Sequence, residues 1–237
     1  MAVASRAAFR VRSVQPIPAR VYLASGMAAV VLMAAGTTLE YPLYVIISFG
    51  IAPWLPLLFI EVLSQYRNFH WLAAFFAITV LQVGHLGEHS IQITQLFMSD
   101  GALVHSHGAF GQLDFETVHF FWDTAVWLGT LVLIWRYGRT NGWLWISLLF
   151  ASAHEVEHMY LYYVNVFEFN FYEYQGGFAG IFGKGGMFPV VSRPYLHFGY
   201  NFMVVVPMVI AYLKQLNISL QTMPRKSSVS ASRVSEV

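Results

Sequence analysis

Residues 143–163 read WLWISLLFASAHEVEHMYLYY, an apolar run of membrane-spanning length with two histidines and two glutamates set in its second half. On a helix, His154 and His158 fall on one face, one turn apart. Ionisable groups at this depth are costly and mark a function. The stretch therefore predicts a membrane helix that carries a two-pronged, metal-capable claw.

Three further hydrophobic runs repeat the device. His85 and His89 lie in the run Trp71 to Met98, His119 and Asp123 in Phe115 to Trp135, and His197 and Asn201 in Tyr195 to Leu213. Two more runs, Val21 to Thr38 and Tyr41 to Ser64, carry no such pair, and Pro42, Pro53 and Pro56 predict an irregular second span. The expected fold is all-α and integral to the membrane, with about six transmembrane helices. Four of them would form a metal-binding core and two would support it.

The claws come late in the first and third of these four spans and early in the second and fourth. Helices running in alternate directions would thus bring all four to one layer. The order also repeats. His85-Leu-Gly-Glu88-His89 followed by His119-Phe-Phe-Trp-Asp123 is echoed by His154-Glu155-Val-Glu157-His158 followed by His197-Phe-Gly-Tyr-Asn201. Repeat halves of about 71–137 and 143–213 would be related by a pseudo-twofold axis along the membrane normal, where equivalent ligands from both halves can meet.

Composition agrees with a membrane protein: 57% of the 237 residues are hydrophobic and 11% charged, and the net charge of +1 gives no reason to expect nucleic acid. With no cysteine in the chain, a metal must be held by nitrogen and oxygen. With the N-terminus cytoplasmic, all the lysines and arginines except Lys184 and Arg193 fall on the inner side. This orientation puts a basic N-terminus (1–20) and a disordered tail (214–237) in the cytoplasm, the six-span domain (21–213) between them, and the metal site toward the extracytoplasmic face. The basic, acid-free N-terminus also fits a cleavable leader ending near Ala34-Ala35-Gly36.

Six histidines and their carboxylates exceed the needs of one tetrahedral zinc and suit two ions. The expected ligands are His85, His89, His119, Asp123, His154, His158 and His197. Glu88, Glu155 and Glu157 would be ligands or proton carriers, Asn201 would orient them, and Arg193 could hold an anionic group nearby. Clustered membrane histidines resemble, at the level of class, the histidine-box membrane hydroxylases and desaturases, although no His-x-x-His-His box is present. The resemblance implies two irons and oxidative chemistry.

The leading expectation is thus a membrane oxidoreductase with two transition-metal ions, iron or copper, acting on a lipophilic substrate with electrons from quinol or an external donor. Its rival is a zinc-dependent hydrolase, because His154-Glu155-Val-Glu157-His158 is an H-E-x-x-H sequence in which Glu155 would be the base. Haem ranks lower because it would use one histidine per helix and sit beside carboxylates. A non-catalytic metal-binding accessory subunit is the remaining alternative. His105-x-His107 in the loop after the third span could load a metal, and the Gly- and aromatic-rich segment Asn165 to Ser192 could be a lid or an interfacial belt.

Overall fold

The computed structural model describes residues 17–110, 116–168 and 179–222, and all the regular structure among them is helical. Seven α-helices follow in order: α1 (Ala19–Thr38), α2 (Leu43–Ile51), α3 (Leu55–Asn68), α4 (His70–Met98), α5 (Glu116–Tyr137), α6 (Gly142–Phe167) and α7 (Arg193–Gln221). A 3-10 turn, Ala52–Trp54, joins α2 to α3, and Pro53 and Pro56 lie where the chain changes helix type. The irregularity expected of the second span is present in this form.

Five segments are long and apolar enough to cross a membrane: Ala19–Thr38, Leu43–Ser64, His70–Met98, Glu116–Tyr137 and Arg193–Gln221. Many of their large apolar side chains are exposed, among them Leu23, Phe59, Phe97, Phe121 and Leu220, as expected of helices solvated by lipid. The remaining expected span, α6, is 26 residues long but is not among the five. His154, Glu155, Glu157 and His158 lower its hydropathy, and all four are buried. The last helix also extends to Gln221, so residues 214–221, expected in a disordered tail, are helical; residues 223–237 lie outside the described part.

The helices α4 to α7 form a bundle. Along its length α4 packs on α7, α7 on α6 and α6 on α5, whereas α4 and α5 touch only sparsely. The hairpin of α1 and α2 is joined to the bundle through α3, which packs on α4.

One half of the bundle has an apolar core, centred on Leu72, Phe75, Leu133, Leu144, Met208 and Tyr212. Two polar side chains fasten α6 to α7 there: Asn141 Nδ2 donates to Ala211 O, and Ser147 Oγ donates to Val204 O. The other half, beneath the α4–α5 and α6–α7 connections, contains the histidines. The apolar half provides the burial that holds four helices in register while their polar groups face one another.

Candidate metal centre

Six of the seven histidines on α4–α7 converge, His70 at the start of α4 being the exception. His85, His89 and His119 form one group and His154, His158 and His197 another, and within each group one nitrogen from every ring lies within 4.8 Å of the others. Five of the six are almost fully buried. The groups adjoin, with His119 stacked on His158 at a centroid distance of 5.4 Å and His89 lying 5.5 Å from His197. Each triad takes two rings from one helix and the third from another: α4 and α5 supply the first, α6 and α7 the second. These groups can hold metal ions.

Within each claw the Nε2 atoms face one another, at 3.3 Å for His85 and His89 and at 3.0 Å for His154 and His158. The opposite nitrogen of one ring in each pair is engaged by an oxygen. His89 Nδ1 donates to Gln92 Oε1 at 2.6 Å, and His158 Nδ1 donates to Glu116 Oε1 at 2.9 Å. An acceptor at Nδ1 fixes the proton there and turns the Nε2 lone pair toward its neighbour, the usual arrangement around a metal-ligating imidazole. Two lone pairs facing at this distance repel, so a proton or a cation must lie between them.

Other nitrogens have no protein partner. Both ring nitrogens of His119 and Nε2 of His197 are buried without a hydrogen bond. Leaving a polar group unpaired in this way costs about 1–3 kcal/mol, so coordination would relieve a real deficit.

Asp123 lies between the triads. Its Oδ1 is 3.9 Å from His85 Nε2 and 3.7 Å from His154 Nδ1, and its Oδ2 is 3.1 Å from His158 Nε2, close but poorly aligned for a hydrogen bond. The equivalent residue in the other half, Asn201, accepts from Gln82 Nε2 at 2.8 Å and donates to the His197 carbonyl. The two halves thus differ by one charge at this position.

The three glutamates expected among the ligands or proton carriers join neither triad. Glu88 accepts from the backbone amides of Ala109 and Phe110, Glu157 from that of Phe182, and Glu155 from the Thr124 hydroxyl. Glu88 and Glu157 occupy equivalent repeat positions and hold equivalent loops. Gly108-Ala-Phe-Gly111 follows α4, and Gly180-Ile-Phe-Gly183 follows α6. At both Gly108 and Gly180 the backbone φ is positive, and a Cβ there would overlap the glutamate carboxylate. The Gly-x-Phe-Gly repeat is the sequence signal that accompanies this pair of glutamates.

Arg193 opens α7 and is ion-paired with Glu116 Oε2, so Glu116 joins an arginine to a histidine of the second triad. Glu116 was visible in the Glu-x-x-His pattern at the start of α5. Gln82 and Gln92 could have been found as polar residues continuing the His85/His89 face at spacings of three. His105 and His107 are exposed and belong to neither triad, and residues 169–178 of the expected lid lie outside the described part.

Comparisons with protein-family models, with curated proteins and with solved structures find no match for this chain. The class is therefore defined by the fold and the site: a chain all-helical among its described residues, with five helices long and apolar enough to span a membrane and buried histidine clusters that could hold metal.

Proposed function

We propose that the chain is a multi-pass membrane oxidoreductase whose α4–α7 bundle holds two transition-metal ions, iron or copper, bound by His85, His89 and His119 and by His154, His158 and His197, with Asp123 between them. His119 is the observation that carries the reading. A ring buried among five other imidazoles with both nitrogens unpartnered is a deficit that a metal ion on its lone-pair nitrogen would relieve in part. Imidazole donors suit iron, copper and zinc, and the presence of two triads favours two ions. Two adjacent redox ions support oxygenation, desaturation or quinol oxidation.

The substrate would be lipophilic and reach the site from the bilayer, with electrons from quinol or an external donor. The distribution of basic residues favours cytoplasmic termini and an extracytoplasmic site.

A zinc-dependent hydrolase built on His154, Glu155 and His158 is the second reading. It is favoured by Glu155 Oε2, which is buried without a partner and could act on a bound water. Against it, Thr124 binds the other Glu155 oxygen, and a single zinc leaves the His85, His89 and His119 triad unexplained.

Metal analysis with optical spectroscopy of the full chain, purified in mild detergent, separates these readings. Two equivalents of iron or copper per chain are expected. One equivalent of zinc would transfer support to the hydrolase, a Soret band would indicate haem, and the absence of bound metal would overturn the proposal.

A further inference from the structure

The repeated sequence pattern sets two clefts at corresponding positions of the bundle, and they are not alike. One lies at the sparsely packed α4–α5 seam. It has a volume of about 230 Å³, its walls are mainly apolar, with Leu81, Val118 and Trp122 among them, and His85, His119 and Glu88, whose carboxylate is held by the Ala109 and Phe110 amides, line it. The corresponding positions on the other side are Phe150, Leu196 and Tyr200. They line a more open depression of about 330 Å³ that includes no histidine. There α6 and α7 pack closely, and the loop residues Phe188 and Val191 add bulk. Of these two clefts, the one at the α4–α5 seam reaches histidines and the other, among the described residues, does not.

We infer that the α4–α5 cleft is the binding site for an unbranched alkyl chain, taken laterally from the bilayer with one carbon of the chain brought against His85 and His119. Three observations select this occupant. The cleft opens between two helices long and apolar enough to cross a membrane, beside Ile51 of α2, so lipid chains are the neighbours able to enter it. Its volume falls below the ~300–1,000 Å³ of pockets that enclose drug-sized molecules, so it fits a narrow chain rather than a ring system. At its end is His119, whose ring nitrogens have no protein partner. Gly84 lines the cleft too, and a Cβ there would meet nothing within 4 Å, so the space beside it is open. The inference rests on the metal-centre reading only for the chemistry at the cleft's end; the one-sided binding follows from the cleft itself.

The test uses the full-length protein in phosphatidylcholine vesicles containing a long-chain fatty acid with a terminal diazirine. Adducts are mapped by mass spectrometry after illumination, and metal content is measured on the same preparation. Adducts are expected on Leu81, Val118 and Trp122 in excess of those on Phe150, Leu196 and Tyr200. Gly84→Leu should lower the cleft adducts about tenfold by filling the space the chain would occupy. Gly199→Leu, in the opposite depression, should not. Equal labelling of both sides, or labelling unaffected by Gly84→Leu in a folded protein, overturns the inference. If Gly84→Leu does not fold, the ratio of adducts between the two sides of the wild-type protein decides. One-sided labelling of a protein without metal would support the cleft and refute the metal centre; even labelling of a metal-loaded protein would do the reverse.

Discussion

Gly180 lies so close to the Glu157 carboxylate that no larger residue fits, and Gly108 has the same relation to Glu88 in the other half of the bundle. Both glycines adopt positive φ, 86° and 74°. In each half a glutamate one residue before a claw histidine thereby fastens the following loop over the site. Gly108→Ala and Gly180→Ala combine left-handed strain of about 1–3 kcal/mol with steric overlap. Each should lower the thermal midpoint of the detergent-solubilised protein, at roughly 2–4 °C per kcal/mol for a chain of this size. Unchanged midpoints in both variants would mean that the loops do not depend on this clasp.

Removing a claw histidine tests the ligand assignment. His89→Ala and His158→Ala each delete one ring of a triad and should lower bound metal. His70→Ala should not, because His70 is exposed at the start of α4 and packs against Tyr66. Elemental analysis of the three variants, purified in parallel, provides the comparison. Equal metal content in all three would remove the triads from consideration.

Glu116 is held from two sides, by Arg193 and by His158 Nδ1. Losing one partner of a buried ion pair costs about 3–5 kcal/mol, because the other charge is left behind. Arg193→Gln should therefore destabilise strongly, and adding Glu116→Gln should recover part of the loss; thermal unfolding of the two single variants and the double variant gives the coupling. If Glu116 also orients His158 toward a metal, Glu116→Gln alone should weaken metal binding about 10–100-fold. Additive stability effects with unchanged affinity would reduce the Arg193–Glu116 pair to a surface-like contact.

The histidine claws were legible in the sequence because their four-residue spacing has one geometric meaning on a helix, and the direction of the helices then implied one shared layer. The partners of those histidines were harder to read. Gln92 lies on the same helix as His89 and continues its face, whereas Glu116 reaches His158 from a different helix, a relation that spacing within one segment does not encode. Glu88 and Glu157 adjoin histidines in the chain, which is why the sequence offers them as ligands or proton carriers. One residue along a helix is a rotation of about 100°, and it turns them instead toward the loops. The difference between the α4–α5 and α6–α7 seams was not readable at all. It depends on how side-chain volumes such as Leu81 and Phe150 fill two nearly equivalent interfaces, which the polar pattern does not describe.

Asp123 and Asn201 occupy equivalent places in the two halves, and only the aspartate lies among histidines of both triads. Asp123→Asn keeps the shape but removes the negative charge from between the triads, so binding of at least one ion should weaken about 10–100-fold. Asn201→Ala removes the acceptor for Gln82 and the donor to the His197 carbonyl, so it should cost about 1–3 kcal/mol of stability with metal content retained. Metal titration and thermal unfolding on both variants separate the two roles. A protein with Asp123→Asn that binds metal as the wild type does, beside an Asn201→Ala variant that loses it, would exchange the assignments and make the neutral half of the repeat the one that governs the ions.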